Sequence, residues 1–467
     1  MPGPYAPPAL LDRETYWKFA SRTIQARAGW LYFFVIFQFV LQLLLLVPGI
    51  DLWRFVPRLL TFLSSLLFLV FLTGRGPMHP SAKVAMALTG LLAIMILHPT
   101  GGAPLAIFAQ FTLTVAIFAP LFWVSRIAVT DRDFGRIITL LWFFNTTSAF
   151  FGVLQVYFPG QFNPEISAIL HYRKGGVEMY DIRLASGETI PRPQGLSDSP
   201  GGAATAGLYA ALLGIGLLTA GRTSWIVRLG TIGSVLIGLF CIYVSHVRSV
   251  LVMTGVCMIT FLFMMLRRGK VVRATIVGVL GFVAFSSGLT WAVTMGGEGV
   301  LKRFTTLVDE SPGDVYYRNR GHFVESTIDK IPSNFFGAGL GRWGMMASYF
   351  QTPYDQLLWA EIQMTGWLYD GGVPMMLLYY AMIFVALWVA FRAARRHTDI
   401  TAQAAHWAAL VFAYNVGALA VTFNYPLFIG QGGMEFWLLN AALFAMISYQ
   451  RAQNALPLPP PGHLQRI

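Results

Sequence analysis

Three segments decide how this chain is read: VYYRNRGHFVES at residues 315–326, NFFGAGLGRWG at 334–344 and TPYDQLLWAEIQMTGWLYDGG at 352–372. They fall within 295–372, the longest part of the sequence too polar to lie in a bilayer. On either side, apolar runs alternate with short basic connections. The chain has 467 residues, 56% hydrophobic and 12% charged, whereas soluble domains carry about a quarter charged residues. Its 37 Phe and 13 Trp suit lipid-facing helices and interfacial belts. The expectation is an all-α polytopic membrane protein whose scaffold presents a large extracytoplasmic helical loop.

Twelve spans are expected, near Gly29–Val47, Phe55–Thr73, Val84–Leu97, Pro104–Val124, Ile137–Phe158, Ala203–Ala220, Leu229–Val244, Ser249–Leu266, Ala274–Val293, Val373–Phe391, His406–Phe428 and Met434–Ser448. The third is short for a span. The first follows a mixed-charge leader and is long enough to cross, so no cleavable signal peptide is expected. This divides the chain into helices 1–9 within 1–294 with an outer loop at 159–202, the large loop at 295–372, helices 10–12 within 373–449, and a Pro-rich cytoplasmic tail at 450–467.

Charge tests the orientation. With the N-terminus inside, the inner segments hold 20 of the 33 Lys+Arg and 5 of the 21 Asp+Glu, and the outer ones 13 and 16, a balance of +15 against −3. Basic residues collect on the inner side of membrane proteins, so both long loops face outward. The net charge of +12 is thus a topology signal, and no nucleic-acid partner is expected. Cys241 and Cys257 sit inside apolar runs, which excludes a disulfide framework or a cysteine metal site. The spans read as free of charge away from their ends. Ion-coupled transport usually needs ionisable groups within the membrane, so this pattern counts against a pump or symporter.

The chemistry is expected in the outer loops. In IPRPQGLSDSPGG, Pro191, Pro193 and Pro200 hold the chain extended, Ser197 or Asp198 is placed to cap the next helix, and Arg192 is delivered to the membrane surface. The turn SHVRS (245–249) is short enough to pin His246 and Arg248 at the outer face. An arginine there is costly unless it meets a carboxylate, a lipid headgroup or a phosphate. In the large loop Arg318, His322, Glu325 and Asp329 share one helical face, with Val324, Ile328 and Ile331 on another and Arg320 pointing elsewhere. GAGLG (337–341) lacks the strand–turn–helix context of a phosphate loop and reads as a tight turn. A second helix is expected from Pro353, aligning Tyr354, Leu358, Glu361 and Thr365 with Asp355 beside them. No cluster at metal-ligand spacing is evident, and no cofactor is expected.

In these residues the sequence resembles the bacterial O-antigen ligase and polymerase family, polytopic membrane glycosyltransferases of the GT-C type. The resemblance covers roughly 190–390. It rests on Arg192-Pro193-Gln194-Gly195 followed by SDSPGG, on SHVRS, on RNRGHFVES running to PSNFFGAGLG, and on TPYDQLLWAEIQMTGWLYDGGVP, in the family's order. Ligases of that family carry a His-Asn pair in the last motif, and here those positions read Tyr354-Asp355. That departure favours the polymerase or exopolysaccharide branch over a ligase.

The resemblance implies an inverting, metal-independent polymerase that transfers glycan from a polyprenyl diphosphate to a sugar hydroxyl. Its expected setting is a bacterial inner membrane, with the active site facing the periplasm. A lipid-linked oligosaccharide and the bilayer are the implied partners, with a chain-length regulator protein by analogy. Negative charge builds on the departing diphosphate, and arginine forks match phosphate geometry. Arg192 and Arg248, with Arg318 or Arg320, are the expected clamp. The acceptor hydroxyl needs a base: Asp355 first, Glu325 or Glu361 next, then His322. Tyr316, Tyr317, Trp343, Tyr354 and Trp359 are candidates for stacking on sugar faces. Two alternatives stand beside the polymerase, a ligase using the same clamp and, from a different class, a flippase for lipid-linked oligosaccharide.

Overall fold

A bilayer offers no water to backbone N–H and C=O groups, so apolar runs of this length satisfy them internally as helices. A computed structural model describes residues 13–50, 53–72, 77–163, 173–174, 177–178, 181–183, 189–199, 201–221, 224–296, 317, 321–350, 358–395 and 400–455. Every one of the twelve apolar runs is helical: α1 (Arg13–Leu44), α2 (Phe55–Phe71), α3 (Ser81–Met95), α4 (Pro104–Phe118, continuing past Pro120 to Arg126), α5 (Asp131–Tyr157), α6 (Gly202–Ala220), α7 (Trp225–Val244), α8 (Arg248–Arg267) and α9 (Val271–Gly296). Two short helices follow, α10 (His322–Asp329) and α11 (Gly344–Tyr349), and then α12 (Gln363–Arg395), α13 (Ala402–Val421) and α14 (Gln431–Ala455).

Eight of these, α4 to α9, α12 and α13, are long and apolar enough to cross a membrane. The apolar part of α1 (Ala28–Leu44), α2 and α3 are shorter apolar helices. The fold is therefore that of a multi-pass membrane protein, mainly helical. Its described strands form two small antiparallel ribbons, Arg173–Lys174 with Val177–Glu178 and Asp181–Arg183 with Thr189–Pro191.

Alternating helix direction gives the bundle two ends. The basic end gathers Arg126, Arg268 and Arg273. There Arg268 donates to Ala402 O, and Asp131 accepts from Thr401 and Gln450. The helices in between pack through small residues: a Cβ on Gly207 of α6 would lie 2.5 Å from Gly238 O of α7. Such close backbone approach is how membrane helices gain contact where apolar burial gives little drive.

The opposite, long-loop end is joined through glycines. Gly337, Gly339 and Gly341 have φ of +94°, +95° and +72°, so GAGLG is the tight turn its composition suggested. On one side Gly102 N donates to Leu340 O and Thr100 Oγ1 to Ala338 O, both at 2.9 Å. On the other, Ala338 N donates to Tyr369 O at 2.7 Å and Val373 N to Phe335 O at 2.9 Å. Those last contacts form where α12 breaks, at Gly371–Gly372 just before Pro374. The segment expected to be helical from Pro353 is not so in its described part: residues 358–362 are non-helical, and the helix begins at Gln363. Leu358 instead bridges to Trp343 as a short extended contact.

Gly372→Ala is expected to destabilise the protein by roughly 2 kcal/mol or more, because φ is +71° and a Cβ would sit 2.1 Å from Phe335 O. Gly230→Ala, with nothing within 4 Å, serves as the control. Thermal unfolding in detergent checks this, and equal melting temperatures for the two variants would disprove it.

Candidate active site at the long-loop end

The segment after Pro191 is held against α5 by side chains replacing secondary structure. Gln155 Oε1 accepts from the backbone N–H of Gln194 at 2.9 Å and of Gly195 at 2.8 Å, while its Nε2 donates to Gly195 O at 2.9 Å. Ser148 Oγ accepts from Leu196 N at 2.9 Å. Gly195 is left-handed (φ +66°), and a Cβ there would strike Ser148. Arg192 leaves this stapled segment half-buried and lies within electrostatic reach of Tyr425.

Ser197 and Asp198 do not cap α6, whose N-cap is Gly201 with no side-chain cap bond. Ser197 Oγ donates to Gln194 O. Asp198 forms an ion pair with Arg58 in the opening turns of α2, where both side chains are shielded from solvent. The Arg58 guanidinium also lies 5.5 Å from the Tyr349 ring centroid.

The SHVRS turn is as short as expected: α7 ends at Val244 and α8 starts at Arg248, with His246 in a left-handed conformation (φ +54°). The turn touches the 192–201 segment, since a Cβ on Gly201 would lie 3.1 Å from Val247 Cγ2. Arg248 is half-buried, and among the described residues no carboxylate lies within ion-pair distance of it. Its position at a helix N-terminus adds the positive end of the helix dipole to its own charge. One loop thus connects three arginines, 58, 192 and 248.

The large-loop candidates are arranged differently. His322 and Glu325 of α10 are exposed, with Asp329 beside them. The Tyr317 hydroxyl donates to Glu325 Oε2 at 2.7 Å, and Trp359 Nε1 donates to Glu361 Oε1 at 2.7 Å. Tyr317 and Trp359 are themselves exposed. Thr327, through its hydroxyl contact with Thr365, seats α10 on α12, and Ile328 is exposed rather than part of an apolar seat. Trp343 is 3% exposed and packs over Gly366, where a Cβ would lie 2.1 Å from its ring. It is a packing residue, and its buried ring presents no face to a sugar, contrary to the expectation for it. Asp355, Arg318, Arg320, Tyr316 and Tyr354 lie outside the described residues.

Two carboxylates overturn the expectation of charge-free helices. Asp370, buried in α12 just before its break, accepts from Gln110 Nε2 of α4 at 2.9 Å and lies against Trp343. Glu435 of α14 accepts from Gln431 Nε2 at 3.3 Å and reaches Tyr209, which is hydrogen-bonded to Tyr414 at 2.6 Å. Both had a sequence cue, an acid beside a glycine pair (Asp370-Gly371-Gly372 and Gly432-Gly433-Met434-Glu435). Arg58 also had one: Arg54 and Arg58 lie at i, i+4 on the side that the charge bias leaves poor in cations.

At the edge of this end, His98 Nδ1 accepts from Thr100 N at 3.3 Å. Burial, and then the nearby Arg342 charge, pushes the His98 imidazole below its ordinary range, which favours this accepting, neutral ring.

No protein-family model matches the chain, and no curated protein matches it in sequence.

Removing the staple tests how Arg192 is held. Gln155→Ala leaves two buried N–H groups without their acceptor, a cost of about 1–3 kcal/mol. Hydrogen exchange should accelerate at the amides of Gln194, Gly195 and Leu196, with the bundle amides unchanged. Unchanged exchange at all three would show that the segment does not depend on Gln155.

Proposed function

We propose that this protein is a membrane glycosyltransferase that polymerises polyprenyl-diphosphate-linked oligosaccharide into an exopolysaccharide or O-antigen-type glycan. The observation that carries the reading is Arg248: a half-buried guanidinium at a helix N-terminus, with no carboxylate at ion-pair distance among the described residues, beside the stapled loop of Arg192. Such a cation calls for an anion from outside the protein, and a diphosphate fits its planar donors. In this reading all twelve apolar runs of the sequence span the membrane, and the long-loop end faces the periplasm of a bacterial inner membrane.

Arg192 and Arg248 stabilise the charge that develops on the leaving diphosphate, with Arg318 or Arg320 as a third contact. Asp355 takes the proton of the acceptor hydroxyl as the anomeric carbon is inverted. Glu325, Glu361 and His322 follow it as bases, since both glutamates already have an aromatic hydrogen-bond donor and the His322 ring lies tilted against Phe323, centroids 3.9 Å apart. Tyr317 and Trp359 are placed to meet sugar faces.

A transporter of lipid-linked oligosaccharide is the second reading. Asp370 and Glu435 favour it, because ionisable groups inside membrane helices mark ion or substrate paths.

Purified protein given a polyprenyl-diphosphate oligosaccharide is expected to make a glycan ladder that persists in EDTA. Arg248→Ala should lower kcat/KM by about 10²–10³-fold, with Arg248→Lys recovering little of it. Normal turnover by a folded Arg248→Ala protein would refute the clamp, and normal turnover by Asp355→Asn would remove that base. Transfer to a different acceptor would make the protein a ligase. Translocation without new glycosidic bonds would make it a transporter.

A further inference from the structure

Within the bundle, α1, α5 and α14 meet around a cavity of about 10 Å³, room for a single water-sized guest. Its walls are apolar, Phe34 and Leu141 among them, except for Gln38, Gln431 and Glu435. Gln38 is 5% exposed, and its Nε2 donates to two groups of α2, Thr61 O at 3.1 Å and Ser64 Oγ at 2.9 Å. Thr61 O can only accept, so this end of the amide is the nitrogen. Oε1 is thereby committed as an acceptor, and it has no partner among the described residues. A buried acceptor in that state calls for a donor.

Glu435 lines the same cavity with the opposite need. Gln431 Nε2 donates to its Oε1 at 3.3 Å, and Tyr209 reaches it, backed by Tyr414 and then Cys257 of α8. No Lys, Arg or His lies within ion-pair distance of it among the described residues. The other elements packed there bring no charge: α1 and α5 present Gln38 and Leu141, α4 has no titratable residue over Pro104–Phe118, and Asp370 of α12 is bonded to Gln110. The carboxylate thus lacks a countercharge where the amide lacks a donor, and one proton meets both needs. A metal cation would exchange its hydration shell for a few oxygens and an otherwise apolar wall, whereas a neutral acid needs no such shell. Glu435 lies one turn, about 6 Å, inside the long-loop start of α14, and Gln431 there is partly exposed, so water has a short way to it. We infer that Glu435 is an exchangeable proton-binding site, its acid O–H donating to one water that in turn donates to Gln38 Oε1. The proton comes from bulk water and leaves by the same way. This holds whether the protein joins glycans or moves them.

The test is infrared difference spectroscopy of the full-length protein in phosphatidylcholine nanodiscs, wild type minus Glu435→Gln, which separates Glu435 from Asp370. In acidic buffer the difference should show the carbonyl stretch of a protonated acid. The band should move to lower frequency in D₂O, and it should give way to a carboxylate band by about pH 10, above the range known for buried glutamates. Gln38→Leu removes the acceptor and Leu141→Phe fills the cavity, so each should move the band to higher frequency, toward that of an unbonded acid. Melting temperature and monodispersity confirm the fold of every variant. If Glu435→Gln fails to fold, the band is identified by its shift in either of the other two. A carboxylate band at every pH, or an acid band that ignores both D₂O and alkali, would overturn the inference. So would an acid band unmoved in folded Gln38→Leu and Leu141→Phe proteins. Replacing choline by sodium at constant ionic strength should leave the band unchanged, and its loss in sodium would make the cavity a metal-cation site instead.

Discussion

The arrangement at the long-loop end depends on a junction where three stretches of backbone meet with no room for a side chain. Residues 100–102, 335–341 and 369–373 approach so closely that a Cβ on Gly102, Gly339, Gly341 or Gly372 would fall within 3 Å of a neighbouring main-chain atom. Hydrogen bonds across the junction are all the more effective because no side chain separates the strands of the contact. Through it the 335–341 turn is held to both α12 and the turn before α4. Trp343 and α11 follow directly, and α11 in turn reaches Arg58 through Tyr349. A purely backbone contact therefore fixes side chains well removed from it.

The two principal loop attachments use different physics. GAGLG is held by main chain against main chain. The Arg192 segment is held by main chain against side chains, with Gln155 and Ser148 acting as substitute partners in a place where no helix or strand could supply them. The second arrangement leaves Arg192 on a short, well-determined stem. Arg248 is placed by yet another constraint, a three-residue turn between two helices. Precise placement of guanidinium groups matters because bidentate recognition is lost when the fork is misaligned.

The sequence makes the scaffold legible for a simple reason: apolar length and charge asymmetry are averages over many residues, and each of the twelve runs is helical. The GAGLG turn and the shortness of the turn before Arg248 were legible too, since glycine spacing and a turn of few residues are local. The helix expected from Pro353 is absent over residues 358–362, because the 353–372 stretch has helical periodicity while the extended contact of Leu358 with Trp343 is a long-range effect. The same holds for Asp198, whose cap-forming position next to a helix is overridden by a partner 140 residues away. Asp370 and Glu435 escaped notice because an isolated acid at the edge of an apolar run reads as its boundary. Packing then draws that boundary into the bundle. Trp343 shows the limit from the opposite side, for a tryptophan in a polar loop looks like a ligand surface until the glycine beneath it is seen.

The interruption in α12 has a consequence for how this protein can change over time. An unbroken helix uses its carbonyl groups internally, whereas here Tyr369 O is spent on Ala338 N and Phe335 O is reached by Val373 N. Substitutions that straighten the helix, of the kind that ordinarily make a membrane protein sturdier, would withdraw those groups from the neighbouring turn. Regularity of the span and attachment of the large loop therefore trade against each other. A lineage, or an engineer, selecting for robustness alone would be drawn toward a bundle that keeps its helices and lets go of its loop.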